Sequence, residues 1–191
     1  MALIAEALRD SAVFNFAGAV TMIVDDSPFS LALTANALSG FGIRTRHACH
    51  SAAEAIRILN ERTVDLLFVD CEMPDMDGYQ FVRWLRRSGL EPNAYIPVVM
   101  TAGHVRRSRV AEARDCGANF LVTKPFSAAM LLERVLWVAR DTRPFLQVGD
   151  YLGPDRRFKT DLYDGEERRA DMIRKARFEA EQNEVDQPAW A

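Results

Sequence analysis

One stretch constrains the fold more than any other: Val64-Asp65-Leu66-Leu67-Phe68-Val69-Asp70, followed at once by Cys71-Glu72-Met73-Pro74-Asp75-Met76-Asp77-Gly78. A short, continuous apolar run that ends in a Pro/Gly-punctuated loop reads as a strand buried on both faces, as in a parallel sheet covered by helices. Asp70 therefore closes a central strand. In open α/β sheets that carboxyl edge is where ligands bind and chemistry occurs. An ionised carboxylate at the mouth of an apolar strand is costly unless a cation or hydrogen-bond donors meet it, so the rest of the chain should supply partners.

The chain in order repeats one unit. Thr21-Met22-Ile23-Val24 is a β-branched-rich run ending in Asp25-Asp26, after which Ser27 can cap a helix with Pro28 at its first position, and Phe29 to Gly40 carries an apolar stripe. A weaker strand at Ile43 to Ala48 precedes a helix from Ser51 to Glu61, where Ser51 and Glu54 form a capping box. After the central strand comes a helix from about Gly78 to Arg87. A fourth apolar run, Ile96 to Met100, ends in Thr101-Ala102-Gly103, and Val105 to Cys116 reads as a charged surface helix stopped by Gly117. The last unit is Phe120-Leu121-Val122, then Thr123-Lys124-Pro125, then a helix capped by Ser127 and running through Arg140. Five strands alternating with five helices predict an α/β fold, a doubly wound five-stranded parallel sheet with right-handed crossovers.

Composition bounds the remaining possibilities. In 191 residues, 49% of them hydrophobic, there is material for one good core plus a tail. Residues 1–18 read as an N-terminal extension, 19–140 as the folded domain, and 141–191 as a charge-rich, Gly- and Pro-punctuated tail, extended to about Asp164 and helical from Glu166 to Gln182. A net charge of -3 provides no global field for DNA or anionic lipid. The three cysteines, Cys49, Cys71 and Cys116, are scattered and set in apolar surroundings, which suits free thiols in a reducing compartment. No apolar run is long enough for membrane insertion and the first ten residues make a poor signal peptide, so a cytoplasmic location is expected. Asp75-Met76-Asp77-Gly78 lacks the further ligands of a calcium loop, and His47, Cys49 and His50 lack the second ligand pair of a metal site.

The strand ends collect Asp25, Asp26, Asp70, Thr101 and Lys124. Three carboxylates at one sheet edge repel each other unless a hard divalent cation sits among them, and octahedral Mg²⁺ suits such a site. Lys124 offers a compact positive charge and Thr101 a hydroxyl donor, and an aspartate screened by metal is a competent nucleophile for phosphoryl transfer. The bland alternative makes Asp25 and Asp26 a solvated turn and Asp70 a helix cap.

Residues Thr21 to about Arg140 resemble the receiver domain of two-component response regulators, the CheY-like fold. The resemblance rests on the acidic pair Asp25-Asp26, the Asp70 to Gly78 segment, Thr101-Ala102 and Thr123-Lys124-Pro125-Phe126, in matching order and spacing. It implies that Asp70 is the phosphoacceptor, served by a histidine kinase or phosphotransfer protein. It further implies that Mg²⁺ is bound by Asp25 or Asp26, Asp70 and the backbone carbonyl of Glu72. No enzymatic activity beyond Mg-dependent self-phosphorylation at Asp70 follows. Receivers of this family usually carry an aromatic residue three positions before the lysine. Here that position is Leu121, while Phe120 should point to the opposite face of the strand.

The tail repeats a pattern, Gly153-Pro154-Asp155-Arg156-Arg157 and then Gly165-Glu166-Glu167-Arg168-Arg169, with Tyr151 and Phe158 close by. Arginine's planar fork pairs with phosphate and with the O6/N7 edge of guanine, and it stacks on purines. Asp155 can accept from guanine N1 and N2, and Tyr151 or Phe158 can stack. A ligand with two guanines and two phosphates, cyclic di-GMP, would use all of these groups at once. In this respect the tail resembles that of the CheY-like cyclic di-GMP effectors, which engage the flagellar motor switch. The alternatives are a solvated linker whose arginines pair with Glu166, Glu167 and Asp171, and a regulator controlled by phosphorylation on Asp70 alone.

Overall fold

The computed structural model describes residues 16, 18–103 and 107–156. Within them five strands form one parallel sheet: β1 (Thr21–Val24), β2 (Thr45–Cys49), β3 (Leu66–Asp70), β4 (Val98–Ala102) and β5 (Phe120–Thr123), in the order β2-β1-β3-β4-β5. The helices are α1 (Pro28–Ser39), α2 (Ala52–Leu59), α3 (Gly78–Arg87), α4 (Arg107–Asp115) and α5 (Ala128–Ala139). The expected doubly wound fold is present, with β3 at its centre.

Strand periodicity divides the core into two layers. Met22, Val24, Leu67, Val69, Val98 and Met100 face one way and pack with residues of α2, α3 and α4, including Leu59, Phe81, Leu85 and Ala113. Ile23, Leu66, Phe68, Val99 and Val122 face the other way, against Leu31 and Leu38 of α1 and Leu131, Val135 and Val138 of α5. All five residues of β3 are buried, as a strand covered by helices on both faces requires. Burial of alternate residues on opposite sides pins the register, because a one-residue slip would exchange the two layers.

Local signals start the helices. Ser27, Ser51 and Ser127 each accept a backbone N–H three residues on, and Pro28 opens α1. Glu54 closes its turn on the His50 N–H (2.9 Å). A reciprocal capping box, absent from the sequence reading, starts α3: the Asp77 carboxylate takes the Gln80 N–H (2.8 Å) and the Gln80 side chain takes the Asp77 N–H (3.2 Å).

One expectation is corrected. The segment following α5 is not an extended arm from residue 141. Instead β6 (Phe145–Val148) and β7 (Tyr151–Pro154) form an antiparallel hairpin around Gly149-Asp150, with Gly149 at φ +56°. The hairpin belongs to the same compact unit as the sheet, a unit that extends to residue 156. Its seat is made by two glycines: a Cβ on Gly153 would lie 2.7 Å from the Gly117 Cα, and one on Gly117 would lie 2.4 Å from the Leu152 carbonyl oxygen. The sequence reading undervalued this segment because its apolar content is low. The hairpin is held by aromatic and arginine contacts instead, with Phe145 edge-on to Tyr95 (5.6 Å) and under the Arg86 guanidinium (5.0 Å). Most of the N-terminal extension, and the helix expected over 166–182, lie outside the described residues.

Candidate functional site

The strand order places the topological switch point between β1 and β3, where ligands bind in open α/β sheets. Val24 pairs with Val69, so the residues that follow, Asp25 and Asp70, emerge side by side. Thr101 lies opposite Asp70 in the β3–β4 register, and Lys124 follows directly on β5. Sequence positions 99 residues apart are thereby gathered at one rim. Asp25 and Asp70 are 3% and 6% exposed, and the buried Thr101 lies beside them.

Lys124 joins the two acids. Its Nζ donates to Asp25 Oδ2 at 2.7 Å and to Asp70 Oδ1 at 2.5 Å. Asp25 also accepts the Ser27 N–H (3.0 Å) and the Ser30 hydroxyl (2.5 Å), and Asp70 Oδ2 accepts the Glu72 N–H (2.8 Å). Gly78 folds the loop tightly over the strand end: a Cβ there would lie 2.1 Å from the Asp70 carbonyl oxygen, so only glycine fits. Ser30 and the close approach of Gly78 were not singled out from sequence. A serine in the first turn of a helix is too common to stand out, and a glycine's neighbours are visible only in three dimensions.

The charges do not balance. Burial pushes the Asp70 carboxyl above its ordinary value, and the hydrogen bonds from Lys124 and Glu72 that pull it down do not overcome that, while the Asp25 charge adds to the rise. Burial alone would lower the Lys124 ammonium, but hydrogen bonds and charges from Asp25 and Asp70 reverse it and the net shift is upward. The lysine answers to two carboxylates, whereas Asp70 shares one lysine with a like-charged neighbour. Two buried carboxylates against one ammonium, with oxygen donors only, fit a hard cation such as Mg²⁺. Asp26 and Glu72 are exposed at the same rim. Among the described residues no group of three or more His, Cys, Asp or Glu side chains is assembled for a metal, so a cation here would share Asp25 and Asp70 with Lys124.

Other expectations resolve as follows. Leu121 packs toward the α2–α4 side and Phe120 toward α5, its ring edge-on to Trp137 (5.3 Å) under Arg134 (4.6 Å). Strand alternation thus turns the Phe120 ring to the face opposite Leu121, as the sequence indicated. The three cysteines are buried free thiols. Burial raises Cys49 and Cys71 to about 12 and Cys116 to about 11, which disfavours the nucleophilic thiolate.

In the C-terminal segment the Arg156 guanidinium lies over the Tyr151 ring at 3.9 Å, and its Nη1 is 3.2 Å from Asp115 Oδ1. Both members of that ion pair are two-fifths or more exposed. Asp155 is tied in through its backbone, its N–H to the Pro144 carbonyl (2.9 Å) and its carbonyl to Arg143 Nη1 (3.0 Å). Gly153, placed in the ligand set on sequence grounds, is buried against Gly117 and serves packing. Arg157, Phe158, Arg168 and Arg169 lie outside the described residues, as do His104 and Arg106.

Comparison with known proteins agrees with this geometry. Residues 21–136 match the response regulator receiver domain. The chain is 30% identical over 114 residues to the chemotaxis protein CheY of Pseudomonas aeruginosa, covering 60% of this chain and 90% of the relative. It is 28% identical over 114 residues to CheY-3 of Vibrio cholerae, covering 60% and 86%. The crystal structure of Vibrio cholerae CheY4 superposes with a TM-score of 0.58 at 24% identity, covering 63% of this chain and 98% of that one, a likeness of fold. With Asp25, Asp26, Asp70, Thr101 and Lys124 all at one rim of this sheet, the chain belongs to the response regulator receiver domain family.

Proposed function

We propose that Asp70 accepts a phosphoryl group in two-component signalling. The observation that supports this most directly is the Lys124 ammonium held between Asp25 and Asp70 at the switch point of the sheet. Asp25, Asp26, Asp70 and the Glu72 carbonyl would hold Mg²⁺, which when bound screens the carboxylates from an incoming phosphate. An Asp70 carboxylate oxygen attacks phosphorus, the donor's bond to phosphorus breaks, and the acyl phosphate's negative oxygens are met by Lys124 and by the Thr101 hydroxyl. Receiver domains partner with histidine kinases or phosphotransfer proteins, and either would be the donor here. Incubation with a small phosphodonor and Mg²⁺ should add one phosphoryl mass, lost in Asp70→Asn and on chelation. No mass gain with any donor would refute the assignment.

A second function is favoured by the hairpin: binding of cyclic di-GMP by the arginine-rich C-terminal segment, followed by docking on a partner such as the flagellar motor switch. Arg156 lies over the Tyr151 ring just beyond β7, where a guanidinium edge and an aromatic ring are at hand for a guanine. Its pairing with Asp115 opposes ligand capture, but a half-exposed ion pair contributes at most about 1 kcal/mol, less than charge-assisted bonds to a phosphate or guanine supply. Calorimetric titration with cyclic di-GMP should show saturable binding lost in Arg156→Ala, and a wild-type chain that binds nothing would end this reading.

A further inference from the structure

We infer that the cleft between α3 and the hairpin is a phosphate-binding site, at the edge of the sheet opposite Asp70. It deepens the dinucleotide reading, on which it rests for its ligand: it would hold a phosphate of the nucleotide whose base meets Arg156 and Tyr151. The cleft has a volume of about 190 Å³ and is walled by Arg83, Arg86 and Arg87 of α3, by Asp115, and by Asp150 and Tyr151 of the hairpin.

Arg86 is 2% exposed, an unusual place for an arginine with no carboxylate partner among the described residues. Its Nε donates to the Gly117 carbonyl (3.1 Å), and its Nη1 to the carbonyls of Ala94 (2.8 Å) and Ile96 (2.9 Å). These bonds tie α3 to the segments that lead into β4 and β5. The remaining group, Nη2, is buried with no hydrogen-bond partner among the described residues. A buried unpaired donor costs stability, and on a cation it asks for an anion.

The neighbouring arginines are available. Arg83 is held by Glu112 at 3.3 Å and Arg87 by Asp150 at 3.7 Å, with the arginine side chains 38% and 56% exposed. Such pairs are weak enough for a phosphate to displace. Asp115 is already engaged by Arg114 and Arg156, each at 3.2 Å. The carboxylates on the cleft wall, Asp115 and Asp150, and Glu112 on Arg83 are all already engaged, while Arg86 has no carboxylate among the described residues, so the balance favours an anion. Arg87 also donates to the Asp150 carbonyl through Nε (3.4 Å) and Nη2 (3.2 Å), so an anion on Arg87 bears directly on the hairpin turn that precedes Tyr151 and Arg156.

The test is calorimetry on the full chain with two probes, cyclic di-GMP and inorganic pyrophosphate, in wild type, Arg83→Ala/Arg87→Ala and an Arg114→Ala control whose arginine lies outside the cleft. Far-UV circular dichroism melting confirms that each variant is folded. The double variant should weaken binding by about tenfold or more, given charge-assisted hydrogen bonds lost, and the control by less than about twofold. If wild type binds cyclic di-GMP and the double variant binds it equally well, the cleft assignment falls and the dinucleotide reading stands. If only pyrophosphate binds, and only with Arg83 and Arg87 present, the cleft is a phosphate site and the dinucleotide reading falls. Binding of neither probe to wild type overturns both.

Discussion

Lys124 donates to Asp70 at 2.5 Å across 54 residues of sequence. This one bond closes the rim of the sheet and opposes the rise that burial imposes on the Asp70 carboxyl. Because the same ammonium also serves Asp25 at 2.7 Å, neither carboxylate is fully neutralised, and the rim holds stored repulsion that a cation or a change of protonation relieves.

The first prediction concerns pH. Burial raises Asp70 above its ordinary value of 3.8. As pH falls from neutral through the raised value toward 3.8, the folded chain takes up a proton that the unfolded chain does not, so this group's contribution moves toward greater stability. Asp70→Asn should accordingly raise the urea midpoint at pH 7 and flatten the acid limb. Lys124 shifts upward from 10.5, so its stabilisation is complete below 10.5 and is lost as pH rises through the higher folded value. Lys124→Ala should cost about 3–5 kcal/mol at pH 7, because it leaves two buried carboxylates unpaired. A denaturation series over pH for the three proteins checks these signs.

The second prediction is that Gly78→Ala displaces Asp70. Its Cβ would overlap the Asp70 carbonyl oxygen, and relief requires the loop over 71–78 to move, at a cost of about 1–3 kcal/mol. Phosphoryl labelling of Asp70 should slow in the same variant. An unchanged urea midpoint and labelling rate would contradict the tight packing.

Third, Gly153→Ala should unseat the hairpin while leaving the sheet folded. The added methyl meets the Gly117 Cα and the Tyr151 hydroxyl, the latter held by the Pro154 carbonyl at 2.6 Å. Amide exchange should accelerate across 145–154, with the protection of β1, β3 and β4 retained. Exchange confined to its wild-type rates would show that the contact is dispensable.

Fourth, Arg156→Ala should lower stability by no more than about 1 kcal/mol, since its ion pair with Asp115 is half-exposed, yet remove the calorimetric signal with cyclic di-GMP. A large loss of stability would instead assign Arg156 to the fold.

The fold was legible because its signals are local and repeated. The run ending at Asp70, the serine caps at 27, 51 and 127, and the alternation that turns Phe120 away from Leu121 follow from short-range backbone chemistry. The sequence reading found Asp25, Asp70, Thr101 and Lys124 because parallel strands all present their carboxyl ends at one rim. Residues whose importance comes from what they touch escaped it. Ser30 matters only because α1 aims it at Asp25, and Arg86 only because Gly117, Ala94 and Ile96 converge on it.

Sequence alone therefore determined the strand and helix order, the two-layered core and the identity of the acidic rim, since each is encoded by patterning within about fifteen residues. Tertiary structure decided that residues 145–154 fold back as a hairpin and that Gly153 packs against Gly117. It also decided that a buried arginine stands beneath a cleft. The seat of the hairpin on Gly117 and the bond from Arg86 to the Gly117 carbonyl join segments more than 30 residues apart, and no periodicity records such contacts before the chain has closed on itself.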